Sequence, residues 1–84
     1  MKIENSWESI APKIIKAELI KRGLTYQHLA VKLGEIGVRE TETNIKGKLA
    51  RGSFNVVFFL QVLHALGIQN LQLDSSLFEG LKEK

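Results

Sequence analysis

Thr43, Asn44, Gly47 and Arg51 fall on one side of a helix turning about 100° per residue, with Lys46 and Lys48 at its flanks. These residue types suit recognition. An Asn amide pairs bidentately with adenine, an Arg guanidinium with guanine, and a Thr touches either a base edge or a thymine methyl. Gly47 stands mid-helix, where it costs about 1 kcal/mol relative to Ala, and its bare backbone lets a nucleic-acid strand come close. The plainer reading of the same face is a solvated polar surface. Bond-making chemistry has far less to work with. His28 and His64 are the only histidines, they sit on different helices, and there is no Cys. Metal-ligand spacing is therefore absent. Gly47-Lys48 lacks the earlier glycine and the strand of a phosphate-binding loop, and Asp74 and Glu79 have no evident partner. The sequence points to no enzyme, no metal and no cofactor.

The elements that must position this face are helices with marked starts and stops. Helix one is expected from about 7–9 to 22, with Pro12 in a first turn capped by Ser9 and a stripe of Ile10, Ile14, Ala17 and Lys21. Helix two starts at the cap Thr25, braced by a Leu24–Leu29 staple, and stops at Gly34 or Gly37. Thr41 caps helix three, with Glu42 in its first turn and Ile45 and Leu49 buried. Gly52-Ser53 is a stop followed by a new cap, and helix four spans roughly residues 54–66. In the tail, Leu71-Gln72-Leu73 alternates as a short strand does, while Asp74-Ser75 offers a cap for a last helix through Leu81. The expected fold is all-α, with four to five helices in a single domain over residues 1–84. Its core covers about 9–68, and 69–84 serve packing or dimerisation.

Residues 1–52 hold ten Lys/Arg against six Glu, a balance of +4; residues 53–84 hold two Lys against three acids, a balance of −1. A basic first part suits a polyanion and an apolar second part suits packing. The N-terminal amides of helix two, at Tyr26 and Gln27 beside Thr25, form a place that phosphates favour. Lys32, Arg39, Lys46, Lys48 and Arg51 would add the salt-dependent share of binding. No signal-peptide core follows Lys2, and the longest apolar run is far shorter than a membrane helix requires. With no Cys, the expectation is a soluble cytoplasmic protein without a membrane partner.

Helix four is apolar nearly all round. Phe58, Phe59, Val62, Ala65 and Leu66 would face the core, leaving Val56, Val57, Leu60, Leu63 and His64 on other sides. A homodimer through this helix and the tail would cover them. The competing arrangement folds Trp7, Leu71, Leu73, Leu77 and Phe78 over helix four within one chain.

Over about residues 13–68 the chain resembles the lambda-repressor-like (Cro/repressor) helix-turn-helix domains. The likeness is carried by Gly23-Leu24-Thr25-x-x-x-Leu29-Ala30-x-x-x-Gly34, by Ile45 and Leu49, and by Phe59-Leu60-Gln61-Val62-Leu63-His64-Ala65-Leu66-Gly67-Ile68. It is also similar to a group of short bacterial helix-turn-helix proteins with an E-T-x-x-N-I…K-(I/L)-x-R-G-x-F core, here Glu40 to Ile45 and Lys48 to Phe54. The resemblance implies a bacterial or prophage-type transcriptional regulator that binds double-stranded DNA with helix three in the major groove. Two departures stand out. Ala30 to Ile45 is fifteen residues, longer than the family spacing, so helix two or the turn is extended. Tyr26 stands where the family usually has Gln. The fifteen-residue spacing, Gly47 on the reading face, and Glu40 and Glu42 at the start of helix three suit an alternative: a protein-interaction adaptor on a helix-turn-helix scaffold that no longer binds DNA.

Overall fold

The computed structural model describes residues 6–79 and 81. A 3-10 turn at Trp7–Ser9 leads into α1 (Ile10–Arg22), α2 (Tyr26–Glu35), α3 (Glu42–Arg51) and α4 (Val56–Ala65), and a second 3-10 turn spans Ser75–Phe78. The described residues contain no strand, so the fold is all-α. Leu71-Gln72-Leu73 is irregular chain rather than the strand its alternation suggests, because a lone strand has no partner for its backbone groups. The last helix expected from Asp74 is the single 3-10 turn, in which Ser76 N–H donates to Asp74 Oδ1 at 3.2 Å. Lys2, Glu4, Lys82, Glu83 and Lys84 of the charge balance lie outside the described residues.

One residue pair from each helix, spaced four apart, builds the core: Ile15 and Leu19, Leu29 and Leu33, Ile45 and Leu49, Phe58 and Val62, joined by Leu66. That spacing puts both members on one helical face. α1 is rotated from its expected stripe. Ile15 and Leu19 enter the core, while Ala17 and Lys21 are exposed. Ile10 and Ile14 are buried outside the main cluster, and Ile14, Ala17, Glu18 and Lys21 line a cleft with Gln72, Asp74, Ser76 and Leu77 of the tail. Thus α1 lies between core and tail, and apolar residues on two of its sides blur the single stripe. The tail lies along α1, and Trp7 meets Phe78 with ring centroids 5.9 Å apart. Val56, Val57 and Leu60 of α4 stay more than half exposed.

The caps decide where each helix begins. Thr25 Oγ1 accepts from His28 N–H at 3.2 Å while His28 Nδ1 accepts from Thr25 N–H at 3.0 Å, a reciprocal capping box with His in the usual Glu/Gln place. Ser9 does not cap α1; its hydroxyl donates to the Ser6 carbonyl at 2.7 Å, because the preceding 3-10 turn offers that acceptor first. Pro12 falls in the first turn of α1, where its missing N–H costs nothing. Asn55, not Ser53, caps α4 by accepting from Phe58 N–H at 2.9 Å. Phe54 is thereby kept out of the helix and packs edge-on to Phe58 at 5.3 Å.

α2 runs through Gly34 and ends at Glu35. Gly37 takes the left-handed conformation (φ 86°) and Val38 N–H donates to Leu33 O at 2.9 Å, satisfying a terminal carbonyl and turning Val38 onto the core. The fifteen-residue spacing is therefore taken up by α2 continuing to Glu35, the connection 36–41, and the opening of α3.

Candidate nucleic-acid interface

Burial of Ile45 and Leu49 fixes the rotation of α3, so its opposite side points outward. Thr43, Asn44, Lys46 and Arg51 are exposed along it and Gly47 is half-buried. Thr41 holds the start of this helix by accepting from Asn44 N–H at 3.0 Å. Arg51 bends back over Gly47, its Nη1 standing 3.3 Å from where a β-carbon on that residue would project. The four residues assigned to base contact thus share one outward face.

The first turn of α2 lies beside the first turn of α3: Thr25, Tyr26 and Glu42 line a common cleft. Thr25 and Gln27 are exposed. Tyr26 is half-buried against the core, and that burial pushes its phenol above the ordinary tyrosine value. Arg39 is exposed in the α2–α3 connection and Lys32 is half-buried in the last turn of α2. Any anion approaching the α3 ridge therefore meets cations from α3 and the connection. It also meets Glu42, whose charge opposes it.

Lys48, grouped by sequence with the phosphate contacts, is held by the fold instead. Its Nζ is 2.8 Å from Glu40 Oε2 and 4.5 Å from the Phe58 ring centroid. Glu40 has only 10% of its side chain exposed, and its second oxygen, Oε1, is buried without a hydrogen-bond partner. A buried carboxylate of this kind needs a paired cation. In the sequence Glu40 is only an acid near a helix start. Its separation of eight from Lys48 follows no helical period, because the pair crosses from a connection to a helix. The part of His28 in the capping box was legible in principle, since it stands three residues after a Thr cap.

Among the described residues no group of His, Cys, Asp or Glu could hold a metal ion, and no helix is long and apolar enough to cross a membrane. The class defined by these features is an all-α domain whose third helix presents an exposed polar and basic face. Residues 7–71 match the family described as a domain of unknown function, DUF6471, and the chain belongs to that family. No curated protein matches it, and no solved structure does.

Proposed function

We propose that this domain binds duplex DNA as a small homodimeric transcription regulator of bacterial or prophage type, acting in the cytoplasm. In this reading α2 and α3 form a helix-turn-helix of the lambda-repressor-like kind, with α3 in the major groove. The observation that carries it is the outward ridge of Thr43, Asn44, Lys46, Gly47 and Arg51, set beside the start of α2. Asn44 and Arg51 read bases, Thr43 touches a base or a methyl group, and Gly47 gives the strand room. Thr25, Tyr26, Gln27, Lys32, Arg39 and Lys46 position the backbone. Lys48, engaged by Glu40, acts on DNA through the placement of α3. Anisotropy titrations of labelled duplex DNA between about 50 and 200 mM salt test the proposal: affinity should fall steeply with salt. A flat or absent response removes it.

The dimer in this reading uses the outer face of α4. Val56, Val57 and Leu60 are 66%, 55% and 57% exposed, and half-buried Leu63 and exposed His64 fall on the same arc. No acid or Lys/Arg occupies that arc, so two copies can meet across a twofold axis without like-charge repulsion. Leu60→Lys should leave a monomer by light scattering with helix content retained. A wild-type monomer at millimolar concentration excludes the dimer.

A second reading is the protein-interaction adaptor. It is favoured by the acid Glu42 in the first turn of α3 and by the neutralised charge of Lys48. Saltless, sequence-blind failure to bind any duplex, with an intact fold, would leave it standing.

A further inference from the structure

A cleft of about 380 Å³ opens where α1, the α1–α2 turn and the starts of α2 and α3 meet. Leu19, Ile20 and Leu24 supply its apolar lining, beside Tyr26. Ile20 is 78% exposed, the most exposed large aliphatic side chain among the described residues. Thr25 and two opposite charges, Lys16 and Glu42, complete the lining. Among the described residues the ion pairs are made by Glu18 and Glu40, so neither Lys16 nor Glu42 is in an ion pair.

We infer that this cleft binds a small zwitterion with an apolar body, of the class of apolar dipeptides, its ammonium on Glu42 and its carboxylate on Lys16. The volume lies in the range of small-molecule sites. A simple ion would leave the Leu19, Ile20 and Leu24 surface unused, and a neutral hydrocarbon would leave both charges unmatched. A body of one or two apolar side chains carrying both charges covers the Leu19, Ile20 and Leu24 surface and pairs with both Lys16 and Glu42. The occupant also bears on the α3 ridge. The zwitterion brings no net charge, but it covers Thr25 and Tyr26, which the DNA reading places on the phosphate backbone, so the occupant and DNA compete. By linkage, DNA then disfavours the occupant by the same factor. This coupling rests on the DNA reading; the cleft itself does not.

Tyr26 is the only tyrosine, so its ring resonances report the cleft without ambiguity. L-leucyl-L-phenylalanine is the probe, compared with its N-acetyl and C-amide forms. The free dipeptide should shift Tyr26 saturably, and capping either end should weaken it about two- to fivefold. Ile20→Lys alters an exposed side chain, so helix content should persist while the shift is lost; Glu42→Gln should weaken the dipeptide as N-acetylation does. No shift at millimolar dipeptide, or equal binding of the capped forms, overturns the site. In DNA titrations the dipeptide should weaken binding several-fold in the wild type and have less effect on Glu42→Gln, which holds it more weakly. An unchanged DNA affinity with a saturated Tyr26 shift overturns the coupling alone. Absence of DNA binding overturns the DNA reading and leaves the Tyr26 result to decide the cleft.

Discussion

The Arg51 guanidinium lies against the backbone of Gly47, with Nη1 3.3 Å from the position a β-carbon there would take. Alanine at 47 therefore has conflicting effects. Removing a mid-helix glycine stabilises by about 1 kcal/mol. The new methyl would sit too close to Arg51, but the guanidinium is the far end of a flexible, exposed side chain and can move away. Gly47→Ala should raise the urea midpoint and yet weaken specific DNA binding, because Arg51 is displaced and the strand loses its close approach. Chemical unfolding together with anisotropy titration checks both halves; tighter DNA binding would remove Gly47 and Arg51 from the proposed contact.

Gly52 ends α3 with φ 70°, and an added β-carbon would stand 2.3 Å from the Glu8 carbonyl oxygen. Backbone oxygen cannot yield as a side chain can. Gly52→Ala should therefore cost more than the 1–3 kcal/mol, about, of left-handed strain alone, and should displace the Trp7–Ser9 turn. Trp7 is the only tryptophan, so its fluorescence should shift even before unfolding. Gly52→Asn tolerates the backbone angle but keeps the collision. If Asn restores stability, the contact with Glu8 is unimportant.

How much of this was legible beforehand depends on whether a feature is local. Thr25, Thr41, Gly37 and the spaced pairs Leu29/Leu33 and Ile45/Leu49 act within one turn of their own helix, so type and spacing located α2 and α3. Ser9 and Ser53 have the residue type of a cap, but the Ser6 carbonyl takes the Ser9 hydroxyl and Asn55 caps α4 in place of Ser53. The two-sided burial of α1 depends on where the tail returns, information spread over more than fifty residues. The same holds for the site. The α3 ridge followed from helical period, whereas the Glu40–Lys48–Phe58 group joins three separate elements and has no sequence signature.

That group gives two lysines of one helix opposite behaviour. Lys48→Ala should destabilise by about 1–3 kcal/mol, because it strands the nearly buried Glu40 carboxylate. Lys46 is exposed, so Lys46→Ala should leave stability unchanged and reduce the salt slope of DNA binding by about 1. Glu40→Gln combined with Lys48→Met should recover much of the Lys48→Ala loss, since both partners become uncharged together. Equal destabilisation by Lys46→Ala and Lys48→Ala would mean that the pairing contributes nothing in solution.

Glu18 sets an acid limit on the fold. Burial alone would raise its carboxyl, but hydrogen bonds and charge from Lys21 and Arg22 outweigh that and hold it below the usual carboxylate value. A depressed folded value means the unfolded chain takes up the proton first. The contribution is thus present above the unfolded carboxylate value and is lost as pH falls through the lower folded one. Lys21 is largely exposed, so screening keeps the effect under about 1 kcal/mol. Unfolding followed from about pH 6 down to about pH 3 should show Glu18→Gln less stable at the upper end and converging on the wild type at the lower. Parallel curves over that range would place the acid sensitivity elsewhere in the chain.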